Sequence, residues 1–251
     1  MCLCLCPSSS SKRKASSSLA MLSIVTINFN NASGLKKTIN SLQSMRGSGF
    51  QWVFIDGGST DASLDLAKNF AQTIDVITSE PDSGIYNAMN KGIRNATGDQ
   101  ILFLNSGDEL HAAIKSNQEM DLKRESDLHL FGFQIRGKTR LPRNNAWRVW
   151  SMPTSHQAIV YSAKLLQKHP FDESYRYAAD FEHYLRINKS HLQIAKSMKP
   201  LIVNEPYGSD QNLAVVLDEY RRALIENGYP PLWAQFVFWL KSRYLKIALG
   251  L

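Results

Sequence analysis

The stretch DQILFLNSGDEL at residues 99–110 decides how the rest of the chain is read. Ile101 to Leu104 is an apolar run of strand length, suited to burial on both faces of a sheet. It stops abruptly in the small polar turn Asn105-Ser106-Gly107-Asp108. Open α/β sheets bind ligands outside the carboxyl ends of their strands, and this strand delivers a carboxylate there. Taken alone, the segment is equally a strand that happens to end in a turn, because Gly and Asp both favour turns.

Upstream, one pattern repeats. Residues 22–27 are apolar and β-branched, a first buried strand that ends at Asn28-Phe29-Asn30-Asn31. Ser33 is read as the cap of a helix to about residue 45, with Leu35, Ile39 and Leu42 on one face. Residues 52–55 give a second strand ending at Asp56-Gly57-Gly58-Ser59, and Asp61 caps a helix that buries Leu64, Leu66, Ala67 and Phe70. Residues 74–78 give a third strand, followed by a loop containing Asp82 and a helix over 85–95. Such alternation with short loops implies right-handed crossovers and a parallel sheet. The strand exits at Asn28 to Asn30, Asp56, Asp82 and Asn105 to Asp108 then meet on one edge. One Asp at a strand end is a commonplace turn residue; Asp at successive exits on one edge points to a cation or phosphate site.

Downstream, residues 109–124 read as a surface helix and 128–135 as a further strand. Residues 136–153 are basic and aromatic, with Arg136, Lys138, Arg140, Arg143, Trp147, Arg148 and Trp150. A loop of that length either closes over an anionic substrate or is simply solvated. His156 sits where the chain re-enters the sheet at 158–161, and is either a substrate contact or structural. Asp180 opens a helix with Phe181, Tyr184, Leu185 and Ile187 on its apolar face. It is either an N-cap, worth ~1 kcal/mol, or a base pointing into the cleft.

A chain of 251 residues suits one large domain with appendages. It buries enough surface to need no disulfide, and its cysteines, Cys2, Cys4 and Cys6, leave no zinc or redox pair inside the domain. The net charge of +7 is concentrated at the ends, in Lys12, Arg13 and Lys14 and in Lys241, Arg243 and Lys246. That argues against a nucleic-acid groove and fits an anionic membrane surface or a phosphate-rich substrate. Residues 1–20 lack the basic-then-apolar order of a secretory signal and read as a disordered extension or a palmitoylated anchor, with Met21 an alternative start of translation. Residues 213–226 form an amphipathic helix, ended by Asn227-Gly228 and Pro230-Pro231. Residues 232–249 follow as a helix of ~27 Å, short for a ~30 Å bilayer core. With its aromatic and basic content it either lies in a membrane interface or packs on the domain or a second subunit.

On these residues the chain resembles family 2 glycosyltransferases, the inverting, nucleotide-sugar-dependent enzymes with the GT-A fold, and among them the colanic-acid and exopolysaccharide type. SIVTINFNN at 23–31, FIDGGSTD at 54–61, EPDSGIYNAMNKGI at 80–93 and GDQILFLNSGD at 98–108 carry the likeness, followed by SHQA at 155–158, Asp180 and Gly208-Ser209. The resemblance implies an α/β, Rossmann-like GT-A domain over 21–212. Its sheet is mixed and mainly parallel, flanked by helices and followed by a C-terminal helical tail over 213–251. It implies that Phe29 lies against the nucleobase, flanked by Asn28 and Asn30, and that Asp56 binds the base or ribose. Asp82 would border the nucleotide, and Asn105 and Asp108 the sugar diphosphate. Asp108 would hold a divalent cation, Mg²⁺ or Mn²⁺, Asp180 would be the catalytic base, and His156 would line the acceptor side. The usual Asp-x-Asp-Asp reads Asn105-Ser106-Gly107-Asp108 here, so one carboxylate remains, which Mg²⁺ tolerates when substrate phosphates and water complete its shell.

The implied reaction moves a sugar from a nucleotide-diphospho-sugar to an acceptor hydroxyl, on a glycan or a polyprenyl-diphosphate-linked oligosaccharide in exopolysaccharide assembly. The implied location is cytoplasmic, either free or peripheral on the inner face of a bacterial plasma membrane. Two rivals stand beside it. A nucleotidyltransferase would want a Gly-rich basic loop at 28–34, which the sequence lacks; a non-catalytic nucleotide-sugar-binding subunit would fit the thinned acidic motif.

Overall fold

The computed structural model describes residues 20–45, 47–144, 148–189, 191–206 and 212–249. The expectations for residues 1–19, Trp147 and Gly208-Ser209 lie outside the described residues.

Strand β1 (Leu22–Asn28) is buried along its whole length. It pairs in parallel on one side with β2 (Phe50–Asp56) and on the other with β4 (Gln100–Phe103), and β3 (Val76–Ser79) extends the sheet beyond β2. Successive side chains of a strand point to opposite faces. Here both sets are apolar, so both faces are covered. Val25, Ile27, Val53, Ile55, Ile101 and Phe103 pack with Tyr86, Met89 and Ile93 of helix α3 (Ile85–Asn95). Ile24, Trp52, Phe54 and Leu102 pack on the other face with Leu35, Ile39 and Leu42 of α1 (Ala32–Leu42). Helix α2 (Ser63–Asn69) makes the remaining crossover.

The second half of the sheet is mixed. Strand β8 (Ile159–Ser162) pairs antiparallel with β4, and β6 (Leu128–Ile135) antiparallel with β8. Strand β9 (Ile194–Val203) then runs parallel to β6, and β5 (Glu109–Leu110) closes the edge against β9. Strands β8 and β5 thus run against the direction of the first four strands, and β6 and β9 run with it. The order is β3-β2-β1-β4-β8-β6-β9-β5, with β7 (Lys138–Arg140) folded back on β6. Helices α4 (Ala163–Lys168) and α5 (Ala179–Ile187) follow β8. At the C-terminus, α6 (Leu213–Glu226) and α7 (Pro231–Leu249) add Ala223, Leu224, Ala234 and Val237 to the α3-side core.

Several local expectations are corrected. Residues 109–124 are not a surface helix: they hold β5 and a short 3₁₀ turn over Asn117–Met120. Leu110, Ile114, Met120 and Leu122 are buried in the core on the α1 side of the sheet, so the segment is not a surface element. Residues 136–153 contain β7, so part of the loop is a hairpin. Helix α1 is capped by Asn31, whose Oδ1 accepts from the Gly34 amide at 3.0 Å, rather than by Ser33. Asp61 precedes α2 by two residues; its carboxylate accepts from the Ser63 amide at 3.0 Å and from the Ala32 amide at 2.9 Å, tying α2 to α1. Strand β9 was hidden from pattern reading by its Lys196, Ser197, Lys199 and Pro200, which interrupt the apolar alternation.

One close contact yields a stability prediction. Gly92 of α3 faces Val25 of β1, and a Cβ built on it would collide with a Val25 methyl. Ala in place of Gly favours an exposed helix by ~1 kcal/mol, but overpacking against a stiff β-branched neighbour costs ~1–3 kcal/mol. Gly92→Ala is therefore expected to lower the melting temperature by a few degrees; a higher melting temperature would show that α3 and β1 approach less closely.

Candidate active site

The parallel strands end together, and a buried carboxylate gathers their exits. Asp56, at the end of β2, is fully buried. It accepts from Asn28 Nδ2 of β1 at 2.9 Å, from the Ser59 amide at 2.9 Å and from Ser79 Oγ of β3 at 2.8 Å. Burial pushes the Asp56 carboxyl up, and the hydrogen bonds from Ser59, Asn28 and Ser79 outweigh it, leaving its pKa below the ordinary carboxylate value. Next along, Asn30 adopts a positive φ of 47°, and its Oδ1 accepts from the Thr60 amide at 2.8 Å. Asn has a short polar side chain that tolerates this conformation. The turn leaves Phe29 63% exposed, a large aromatic face set out from the sheet edge.

Phe29 and Asp82 meet over Gly57. A Cβ on Gly57 would strike the Asp82 carboxylate and lie 3.3 Å from the Phe29 ring, so only glycine lets the two side chains close over that backbone. Asp82 Oδ1 in turn accepts from the Gly84 amide at 3.0 Å, at the start of α3. Phe29, Asn30, Asp56 and Asp82 thus form a shelf along the sheet edge.

Beside the shelf opens a cavity of about 580 Å³, lined among others by Asn31, Gly84, Asn105, Asp108, His156 and Asp180. Asp108 is buried, and its Oδ1 accepts from Asn204 Nδ2 at 3.1 Å and from the Glu205 amide at 2.9 Å. The turn before it is pinned from α1: the Gly107 amide donates to Thr38 Oγ1 at 3.0 Å, and Thr38 Oγ1 donates to the Asp108 carbonyl at 2.7 Å. Gly107 has φ 106°, and a Cβ there would run into the Glu205 carboxylate, which Lys37 Nζ holds at 2.8 Å. Burial pushes the Asp108 carboxyl up to about 6; the charge of Glu205 adds to that, and the two hydrogen bonds oppose it.

Around Asp108 lie buried oxygens without a hydrogen-bond partner: Asn105 Oδ1, Ser106 Oγ and Asn204 Oδ1. Buried polar atoms are nearly always paired, so orphaned oxygens grouped at one carboxylate are ready to take a ligand. The donor set is all oxygen, which suits a hard divalent ion such as Mg²⁺ or Mn²⁺. Among the described residues there is no group of three or more His, Cys, Asp and Glu able to hold a metal. These residues therefore fit an ion that takes one carboxylate from the protein and completes its shell from a bound diphosphate and water.

Across the cavity, Asp180 is the second residue of α5. The N-cap position belongs to Ala178, without a side-chain hydrogen bond, so Asp180 is not spent on capping. Its Oδ1 accepts from Tyr86 Oη of α3 at 3.2 Å. Burial, and then the charge of Asp180, push the Tyr86 phenol well up, which keeps it a donor. His156 is buried against Phe103, with Nδ1 unpartnered; burial pushes its pKa down against the pull of Asp180. A second cavity of about 640 Å³ shares His156, Gln157, Asp180, Asn204 and Glu205 with the first, and Arg140, Arg143 and Tyr220 line its far side. Asp180 stands where the two meet.

The residues that sequence reasoning missed are Tyr86, Thr38, Asn204 and Glu205. Tyr86 lay inside the EPDSGIYNAMNKGI motif without a role. Asn204 and Glu205 follow the apolar Leu201-Ile202-Val203 at the exit of β9, the signal that could have found them.

A carboxyl raised from 3.8 to about 6 makes the fold less stable by up to ~3 kcal/mol once both states are ionised. The more stable, protonated form prevails below 3.8 and is lost as pH rises through about 6. Asn keeps the Oδ1 acceptor for Asn204 and Glu205 and removes the charge. With a chelator present, Asp108→Asn is expected to melt several degrees higher than wild type at pH 8 and at the same temperature near pH 3.5; equal melting at pH 8 would contradict the buried charge.

The description "Glycosyl transferase family 2" matches residues 23–167. A "PGL/p-HBAD biosynthesis glycosyltransferase" of Mycobacterium bovis is 30% identical over 73% of this chain and 76% of its own. An uncharacterised glycosyltransferase of Mycobacterium tuberculosis is 31% identical over 66% of this chain and 68% of its own. Among solved structures, Staphylococcus aureus TarS 1-349 has a TM-score of 0.64 at 17% identity, over 87% of this chain and 69% of that one. The mannosyltransferase PcManGT from Pyrobaculum calidifontis, in complex with GDP-Man and Mn²⁺, has a TM-score of 0.65 at 13% identity, over 93% and 76%. These likenesses agree with the mixed α/β sheet, its flanking helices and the strand-end cavity, and the chain belongs to glycosyl transferase family 2.

Proposed function

We propose that the protein is an inverting glycosyltransferase that moves a sugar from a nucleotide-diphospho-sugar to a hydroxyl of an anionic, lipid-linked glycan acceptor. One observation carries this function: Asp108 and Asp180, far apart in sequence, line the same cavity at the carboxyl ends of the strands. The GDP-Man and Mn²⁺ in the mannosyltransferase neighbour support the donor class.

The shelf takes the nucleotide. Phe29 offers its exposed ring to the base. Asp56 is fully buried, and Asn28, the Ser59 amide and hydroxyl and Ser79 take both of its oxygens, so it serves the nucleotide by keeping the shelf rigid beneath it. Asn30 and Asp82 border it. The diphosphate would then lie over Asn105 and Asp108, where Asp108, Asn105, Ser106 and Asn204 would hold a divalent ion. When bound, that ion offsets the charge that grows on the departing diphosphate, worth several kcal/mol. Asp180 accepts the proton of the acceptor hydroxyl, a step typically worth 10²–10⁴-fold. The bond from the anomeric carbon to the diphosphate breaks as the new bond to the acceptor oxygen forms on the opposite face, which inverts the centre. Tyr86 fixes one carboxylate oxygen of Asp180 and leaves the other for the hydroxyl. His156 lines the acceptor side.

The second cavity fits the acceptor. Arg140 and Arg143 give it positive charge, which favours a phosphate-bearing glycan. Helix α7 suits an acceptor held in a membrane. Trp233, Phe236, Trp239 and Tyr244 are 44–58% exposed, Arg243 and Lys246 lie among them, and the helix carries no acidic residue. No helix among the described residues is long and apolar enough to cross a membrane. Exposed aromatics with basic neighbours fit a helix lying in the interface of an anionic bilayer.

Asp180→Asn is expected to bind UDP-sugars or GDP-mannose with Mn²⁺ within about threefold of wild type while turnover falls by ~10² or more. Near-normal turnover in the purified variant would remove Asp180 from the role of base. The joint substitution Trp233→Ser, Phe236→Ser and Trp239→Ser is expected to abolish flotation with phosphatidylglycerol vesicles; undiminished flotation would remove α7 as the docking element.

A further inference from the structure

The transfer reaction described above leaves one inward-turned, partly buried cation unexplained. Lys241 projects from α7 into the protein, where its Nζ donates to the Trp150 carbonyl at 2.9 Å. The same ammonium lies 3.3 Å from the centroid of the Tyr220 ring and 5.8 Å from that of Phe181. No carboxylate is within ion-pair distance of it among the described residues. Burial pulls its pKa down to about 7, the charge of Asp180 pulls it up, and Arg143 pulls it down. An ammonium has a long flexible stem and normally reaches water when it can. This one is turned inward, onto the Trp150 carbonyl and the Tyr220 ring, although it sits on a surface helix.

Of its contacts, Tyr220 lines the second cavity, and Trp150 and Phe181 adjoin residues that do. Trp150 precedes Ser151, Met152 and Pro153, which line that cavity together with Tyr220 and Asp180. Phe181 directly follows Asp180, and its ring is stacked on Tyr220 at 4.1 Å. One ammonium therefore joins the strap at 150–153, helix α6 and the first turn of α5. An apolar side chain of similar length could fill this space, but it could not donate to the Trp150 carbonyl or place a positive charge over the Tyr220 ring.

We propose that Lys241 is a positioning residue of glycosyl transfer, holding the acceptor strap through Trp150 and the aromatic stack through Tyr220 so that Asp180 faces the incoming hydroxyl. Helix α7 is then part of the catalytic unit as well as the element that meets a membrane. The proposal rests on Asp180 being the base.

The test uses the full-length protein and the slow release of nucleotide diphosphate from UDP-sugars or GDP-mannose with MnCl₂, in which water takes the place of the acceptor. Lys241→Met, Lys241→Gln, Lys241→Arg and Asp180→Asn are compared with wild type. The expected result is a fall in kcat of tenfold or more for Met and Gln, with the donor KM within twofold, and recovery of at least a third of wild-type kcat by Arg. A kcat within twofold of wild type for either uncharged variant would overturn the proposal. So would loss of a cooperative melt in both, which would make Lys241 a residue of stability alone. Asp180→Asn separates the two ideas. If it retains turnover, the base assignment fails and takes this proposal with it; if it is inactive while Lys241→Met is not, only the role of Lys241 fails.

Discussion

Asn28 and Asp56 are the last register partners of β1 and β2, and a hydrogen bond joins their buried side chains. This pairing constrains everything around it. A slip of one residue would turn the apolar faces of both strands over and leave a buried carboxylate without its donors. An unpaired buried polar group costs ~1–3 kcal/mol, and a charged one more. The register is therefore held at its polar end as firmly as by the apolar strands behind it. With it held, the exits of β1, β2 and β3 come to one edge, and Phe29, Asn30 and Asp82 take their places on the shelf.

The neighbouring exit is built on the opposite balance. At Asp56 hydrogen bonds outweigh burial; at Asp108 burial wins, and the carboxyl is pushed up to about 6. Its surroundings add a nearby Glu205 and oxygens that lack donors, namely Asn105 Oδ1, Ser106 Oγ and Asn204 Oδ1. Such an arrangement is poor for stability and good for receiving positive charge, as is common where a fold keeps a ligand site. Both aspartates follow parallel strands, but the protein fills both oxygens of Asp56, whereas its hydrogen bonds to Asp108 go to Oδ1.

Two cavities meet at Asp180, and the C-terminal helices help to wall the second. Tyr220 of α6 lines it, and Lys241 of α7 grips Tyr220 and Trp150 from behind. The matched family region ends at residue 167, before α5, β9, α6 and α7. The parallel strands β1 to β4 thus lie inside the matched region, while Asp180, Asn204, Glu205 and Tyr220, which line the second cavity, lie outside it.

Much of this was legible in the chain itself. Continuous apolar runs at 22–27, 52–55 and 101–104 identify strands buried on both faces, and strand-helix alternation forces their parallel order, because the crossovers have one hand. Local turn chemistry then puts Asn28, Asp56, Asp82 and Asp108 at strand ends. Segments whose structure comes from distant partners were not legible. Residues 109–124 follow a sheet edge because β9 is there to pair with, and β9 itself is interrupted by lysines that face outward. Whether Asp180 was a cap or an open carboxylate depended on Tyr86, 94 residues away, and on a cavity that no local pattern encodes. Sequence alone determined which residues end the strands, since propensity and periodicity act over a few neighbours. Only the tertiary structure decided which of those ends are satisfied by the protein and which are left open, since burial and hydrogen-bond partners are set by the rest of the fold.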